Sequence, residues 1–219
     1  MSRKRTAIFI SGRGSNMRSL VEAAKAPDYP AEIALVFSNR PDAEGLAFAK
    51  AQGIATAAVD HKIHAGRDEF EKSVQILLDL HRIELICLAG FMRLLTANFV
   101  RAWEHRLINI HPALLPAYRG LHTHERALAD GVKIHGCTVH FVVPEMDQGP
   151  IIAQAAVAVL DDDTLATLAA RVLNQEHLIY PAALARVASG KLKISGNRTF
   201  DDASTQDFSP LRVPKIDDV

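Results

Sequence analysis

The first half of the chain alternates short runs of β-branched and apolar residues with longer stretches in which apolar positions recur every three or four residues. The runs TAIFIS, EIALVFSN, IATAAVD and ELICLAG predict strands, and the stretches between them predict amphipathic helices. The early strands are apolar on both faces, as a sheet covered by helices requires. This alternation predicts parallel strands connected by helices.

The second half departs from that pattern. A strand RLINI is followed by a short helix HTHERALADG, and then by HGCTVHFVV and IIAQAAVAV, which are joined by the turn-rich PEMDQG. A long helix follows, and the sequence after Gly190 is polar. We predict an α/β fold with an open, mostly parallel twisted sheet, helices on both faces and mixed strands in the C-terminal half. We expect one catalytic domain over residues 1–192 and a polar tail over 193–219.

Composition narrows the possible partners. The 25 Lys and Arg residues balance 25 Asp and Glu residues and form no basic stripe, so a nucleic-acid partner is not expected. No apolar run is long enough to span a membrane. Cys87 and Cys137 lie inside apolar runs and make no disulfide framework, so we expect a cytoplasmic protein with small-molecule partners, either a monomer or a homodimer.

A glycine-rich loop, FISGRGSNMRSL, connects the first predicted strand to the first helix. Backbone N–H groups of Gly14, Ser15 and Asn16 could surround a phosphate at the positive end of that helix, or the loop could be only a tight turn with a cap. Met17 stands where a dinucleotide fold would place a third glycine, which disfavours NAD. Arg40, after the second strand, leaves NADP open.

Asn109 and His111 lie two residues apart at the end of the strand LINIH. Strand geometry points both side chains to the same side, at the carboxyl edge where open α/β sheets bind ligands. An amide donor beside an imidazole suits a developing oxyanion, which indicates acyl transfer. Asp147 is the candidate third member, because a carboxylate near His111 would favour the charged imidazole; a turn-forming role for Asp147 is the alternative.

Further polar residues stand on predicted core elements. Glu176 interrupts the apolar stripe of the last helix, so it needs a partner, either a substrate amine or hydroxyl or a buried arginine. The remaining histidines of the central region lack metal-ligand spacing, so we expect no metal and predict helix capping or polar pairing in the core. These histidines are His122, His124, His135 and His140.

The segments ISGRGSN, VFSNR, CLAGFMRLL, INIHPALLPAYRGLHTHERAL, GCTVHFV, MDQGPII and QEHLIYP together closely resemble the phosphoribosylglycinamide formyltransferase family, from Ile8 to about Leu192. The resemblance implies a Rossmann-like formyltransferase fold. It also implies transfer of a formyl group from 10-formyltetrahydrofolate, as cosubstrate, to the amine of glycinamide ribonucleotide in purine synthesis.

The resemblance also assigns roles. Asn109 and His111 would hold the formyl oxygen, and Asp147 would raise the basicity of the imidazole. The ribonucleotide would contact Gly14, Ser15, Asn16 and Glu176. The folate would contact Arg67, Met92, Arg93, Leu94, Leu95, Asn109, Val143, Glu145 and Asp147. Leu173, at a position where glutamine is common, puts one ribonucleotide contact in doubt, and Thr138 stands where serine is common.

Other readings of the sequence are a formyltetrahydrofolate deformylase, a methionyl-tRNA formyltransferase, an NADP-dependent reductase that uses Arg40, or a silent nucleotide sensor. The first two would carry an additional domain, for which we expect no room in this chain. Folate affinity together with a requirement for both substrates separates the transferase from the rest.

Overall fold

The computed structural model describes residues 2–201 and Val213. Seven strands form one sheet: β1 (Lys4–Ile10), β2 (Ala31–Ser38), β3 (Thr56–Ala58), β4 (Leu85–Leu88), β5 (Leu107–His111), β6 (Ile134–Phe141) and β7 (Ile151–Ala158). Six α-helices accompany them: α1 (Ser15–Ala23), α2 (Glu44–Ala51), α3 (Arg67–Leu80), α4 (Ala97–Ala102), α5 (Thr123–Ala129) and α6 (Leu165–Ala188). Each strand predicted above is present, with small differences in its ends.

The sheet is parallel in its first part and antiparallel in its last part. Its strand order is β3-β2-β1-β4-β5-β6-β7; β1 to β5 pair in parallel, whereas β5–β6 and β6–β7 pair in an antiparallel manner. The mixed α/β fold predicted from the sequence is confirmed. Because the chain leaves β1 first toward β2 and later returns to β4 on the other side, the β1/β4 boundary is a topological switch point, where such sheets bind ligands.

Two apolar cores lie on the two faces of the sheet. On one face α1 and α6 cover the strands, with Met17, Leu20, Val172 and Leu184 fully buried. On the other face α3 and α4 pack with residues such as Phe70. Strand side chains therefore meet apolar surface on both sides, which explains their uninterrupted hydrophobic runs.

A hairpin follows α6 that the sequence pattern did not lead us to expect. Strands β8 (Leu192–Ser195) and β9 (Arg198–Asp201) pair in an antiparallel manner, and Thr199 Oγ1 donates to the carbonyl oxygen of Ile151 at 2.7 Å. The division into a domain over 1–192 and a tail over 193–219 stays a prediction, and most of that tail lies outside the described residues. Within the described part of the chain, no helix has the length and apolar character that crossing a membrane requires.

Candidate active site

Two neighbouring cavities open at the carboxyl edge of the sheet. The first, of about 630 Å³, has the glycine loop, Asn39, Arg40 and Lys62 in its wall. The second, of about 710 Å³, is mainly apolar and lies against β4, β5, β6 and the start of α5. Gly90 and Met92 belong to the walls of both. A ligand with an anionic end and a second, flat apolar ligand could therefore approach each other at this boundary.

The three residues predicted to act on the reacting group come together in the second cavity. Asn109 and His111 end β5, and Asp147 enters from the loop between β6 and β7. Nδ1 of His111 lies 3.6 Å from Oδ2 of Asp147, and the two side chains are only 6% and 10% exposed. A carboxylate at this distance and depth can attract positive charge that develops on the imidazole, because little water screens the pair.

Backbone contacts fix the orientation of both members of this pair. Nε2 of His111 lies 2.9 Å from the carbonyl oxygen of Tyr118, which can only accept, so Nε2 carries a hydrogen and Nδ1 is the nitrogen left for chemistry. Asp147 has φ of 54°, and its Oδ2 accepts from the backbone N–H of Gly120 at 2.8 Å. The segment after β5 therefore positions both the base and its carboxylate.

The glycine loop presents unpaired backbone donors to the first cavity. Helix α1 begins at Ser15, and Gly14 caps it with φ of 69°, a conformation that suits glycine, without any side-chain cap. A Cβ on Gly14 would lie 2.9 Å from Cε of Met17. Because no side chain caps the start of α1, its first N–H groups remain available to an anion in the first cavity, whose wall includes Gly14, Ser15 and Asn16.

Glu176 meets Asn16 across the first core. Nδ2 of Asn16 donates to Oε2 of Glu176 at 2.6 Å, and both residues are more than nine-tenths buried. Burial raises the pKa of the Glu176 carboxyl, although the bond from Asn16 acts in the opposite direction. Oδ1 of Asn16 is buried and has no hydrogen-bond partner, so this pair can still accept from a bound hydroxyl or amine. The protein partner of Glu176 is therefore the amide of Asn16 and not a buried arginine, and a contact of Glu176 with a substrate stays a prediction.

Most residues predicted to contact the folate line the second cavity: Met92, Arg93, Leu94, Leu95, Asn109, Val143 and Asp147. Met92 and Leu94 are 72% and 63% exposed, so both present apolar surface to this cavity. Arg67 and Glu145 are not among the residues of this wall. The guanidinium of Arg93 lies over the ring of Phe70. Phe70 is one turn from Arg67 on α3. The roles of Arg67 and Glu145 stay predictions.

The other histidines pair within the protein. Nδ1 of His124 lies 3.2 Å from Nε2 of His135, and burial together with this neighbour lowers the pKa of His135 to about 4. Nδ1 of His122 lies 3.0 Å from Oε2 of Glu125 at the surface. Among the described residues, no group of three or more His, Cys, Asp or Glu side chains is arranged to hold a metal ion. Arg40, the residue that left NADP open, is exposed and bonded to Asp42 at 3.1 Å.

Two contributors were missed by the sequence analysis: the carbonyl of Tyr118 and the N–H of Gly120. These backbone groups carry no sequence signal. Capping or polar pairing in the core was predicted for His140, and its Nε2 does lie 3.3 Å from Nδ2 of Asn109, but a place beside the reacting group was not expected for it. Thr138, which replaces the more common serine, is buried and its Oγ1 donates to the carbonyl of Ala113 at 2.7 Å, so its hydroxyl still anchors the segment after β5.

Comparison with known proteins adds independent information. A model of the formyl transferase family matches residues 4–184. The phosphoribosylglycinamide formyltransferase of Escherichia coli (strain K12) is 42% identical over 195 residues, which cover 89% of this chain and 92% of that protein. The human trifunctional purine biosynthetic protein adenosine-3 is 45% identical over 193 residues, which are 88% of this chain but only 19% of that protein. The chain thus spans about a fifth of the length of this longer relative.

The folds also agree. The crystal structure of phosphoribosylglycinamide formyltransferase from Brucella melitensis is 54% identical in sequence, with a TM-score of 0.83 over 86% of this chain and 97% of that one. This chain therefore matches the shorter relatives along nearly their whole length, both in sequence and in fold.

Proposed function

Because the chain belongs to the formyl transferase family, we propose that it transfers the formyl group of 10-formyltetrahydrofolate to the amine of glycinamide ribonucleotide, the reaction of a phosphoribosylglycinamide formyltransferase. The observation that carries this proposal is the position of Asn109, His111 and Asp147 in the wall of the apolar cavity, next to the cavity that contains the glycine loop. Formyl donor and acceptor need two adjoining sites of this kind.

The residues of the two cavities suit the two substrates. Backbone donors at Gly14, Ser15 and Asn16 fit the phosphate of the ribonucleotide, and the buried Asn16–Glu176 pair fits its hydroxyl or amine groups. The exposed apolar residues Met92 and Leu94 fit a flat pteridine ring. Arg93 offers a guanidinium for the carboxylate end of a folate.

Direct acyl transfer follows from the chemistry of the three side chains. The amine nitrogen attacks the formyl carbon, and the formyl oxygen gains negative charge as that carbon becomes tetrahedral. An N–H of Asn109 and the protonated Nδ1 of His111 are the donors proposed for this oxygen. The carboxylate of Asp147, 3.6 Å from Nδ1, balances the imidazolium charge. The proton lost by the amine must reach the departing folate nitrogen, and His111 and Asp147 can carry it.

A two-substrate assay tests this function. Tetrahydrofolate should form only when 10-formyltetrahydrofolate and glycinamide ribonucleotide are both present, and formylated ribonucleotide should appear in equal amount. Equal release of tetrahydrofolate and formate without the ribonucleotide would indicate a deformylase and contradict the proposal. We place the enzyme in the cytoplasm as part of the same proposal, supported by two free, buried cysteines.

A further inference from the structure

His140 lies near the end of β6, directly opposite Asn109 of β5 in the antiparallel register. Its side chain is 2% exposed, and its Nδ1 lies 2.9 Å from the carbonyl oxygen of Phe141. Because a carbonyl can only accept, Nδ1 must carry a hydrogen. Burial is the largest influence on His140 and lowers its pKa, so the ring is neutral and Nε2 presents a bare lone pair.

That lone pair faces the catalytic amide. Nδ2 of Asn109 lies 3.3 Å from Nε2 of His140. Only an N–H of the amide can make a favourable contact there, since the flipped amide would place its oxygen against the lone pair. The pairing of the two strands thus places a buried imidazole where it fixes the orientation of the Asn109 side-chain amide.

We propose that His140 is a positioning residue for formyl transfer: it accepts from one N–H of Asn109 and thereby keeps the second N–H of the same amide directed to the formyl oxygen. The inference rests on the proposed function and adds to it a residue that does not itself touch the reacting atoms. It also explains why a buried position near the end of an apolar strand holds a polar side chain, where a hydrophobic residue would pack at lower cost.

Two ionisable side chains act on His140 in opposite directions. Asp147, with Oδ1 3.7 Å from Nε2, raises the pKa of His140, whereas His111 on β5 lowers it; burial has a larger effect than either and keeps the ring neutral. Phe141 contributes a carbonyl and Asn109 an amide. An imidazolium at His140 would compete with His111 for the single carboxylate of Asp147, whereas a neutral His140 leaves that carboxylate to His111.

Two substitutions of His140 that differ in side-chain length distinguish a positioning role of this residue from a packing role. In His140→Gln, Oε1 can take the place of Nε2 and accept from Asn109. In His140→Asn, the shorter amide can still donate to Phe141 but leaves nothing at the Nε2 position. We expect kcat of His140→Asn to fall about tenfold, the effect of one ordinary hydrogen bond, with both KM values nearly unchanged, and His140→Gln to recover most of the loss.

A measurement without substrates keeps this inference separate from the proposed function. The side-chain amide of Asn109, assigned by its loss in Asn109→Asp, should show a displaced ¹H resonance for the N–H bonded to His140. The displacement should vanish in His140→Asn, persist in His140→Gln and persist in His135→Asn, a matched control in the same strand. In an Asn109→Ala background, His140→Asn should cost no further activity.

An unchanged Asn109 resonance in His140→Asn, or equal losses of kcat and thermal stability in the Asn and Gln variants, would overturn the inference. If the wild-type protein transferred no formyl group while the resonance pattern held, the proposed function would fail and the orientation of the amide would stand.

Discussion

Replacement of Asp147 by asparagine removes the charge beside His111 with the least disturbance of structure. The amide has the shape of the carboxylate and can still accept from the N–H of Gly120, which lies 2.8 Å from Oδ2. The loop geometry should therefore survive. What disappears is the attraction between the carboxylate and an imidazolium whose Nδ1 is 3.6 Å away.

The size of this effect follows from the distance and the burial. With an effective dielectric constant near 20, two unit charges 3.6 Å apart attract by ~4–5 kcal/mol, and the dipole of the new amide recovers part of that. A net loss of about 3–4 kcal/mol in the transition state lowers kcat by about 10²–10³-fold. KM for glycinamide ribonucleotide should stay within about twofold, because neither His111 nor Asp147 lines the cavity that contains the glycine loop.

The assay is steady-state release of tetrahydrofolate with both substrates varied. Asp163→Asn is the matched control, since Asp163 is equally buried but pairs with Arg171 at 2.6 Å near the start of α6, outside both cavities. It should lower the melting temperature and leave kcat close to wild type. A decrease in kcat of less than tenfold for Asp147→Asn, with the fold intact, would refute the electrostatic role of Asp147.

Three further predictions concern the amide, the glycine loop and the histidine pair. Asn109→Ala should lower kcat by about 10²–10³-fold with small changes in KM, as for other oxyanion donors, measured in the same assay; a near-normal kcat would exclude it from the mechanism. Gly14→Ala should raise KM for the ribonucleotide more than it lowers kcat, because its φ of 69° disfavours a side chain and its Cβ would press on Met17. The melting temperature should decrease as the pH falls from about 6.5 to about 4, because the folded protein holds His135 neutral and the unfolded chain takes up the proton. His135→Gln should flatten that slope, and an unchanged slope would show that other groups cause it.

The sequence predicted well those features that depend on local periodicity. The seven strands and six helices follow from runs of apolar residues and their spacing, and Asn109 with His111 followed from the two-residue repeat of a strand. The hairpin after α6 was missed, although Leu192 and Ile194 alternate with Lys193 and Ser195 before Gly196. Strands of four residues carry too short a pattern to stand out against a polar background.

Pairings between distant segments were predicted only in part: the pairing of Asp147 with His111 followed from their chemistry, but the backbone contacts that bring it about did not. Glu176 was expected to need a partner, yet the sequence offered no means of choosing Asn16, which is 160 positions away. The contact of Asp147 with His111 depends on a left-handed backbone conformation in a loop and on an N–H from Gly120. Such contacts arise from the tertiary fold, where any of several polar residues could have filled the same role.

His111 of β5 and His140 of β6 have different roles because their surroundings differ. Each ring has one nitrogen bonded to a backbone carbonyl, at 2.9 Å from Tyr118 for His111 and from Phe141 for His140. The free nitrogen of His111 faces the carboxylate of Asp147, whereas the nearest polar atom to the free nitrogen of His140 is the amide nitrogen of Asn109. A single carboxylate can stabilise one imidazolium well in a buried site, and a second cation beside it would cost more than it gained. Asp147 lies at nearly the same distance from both rings, 3.6 Å from Nδ1 of His111 and 3.7 Å from Nε2 of His140, so burial, which lowers the pKa of His140, makes His140 the neutral acceptor and leaves the carboxylate to His111.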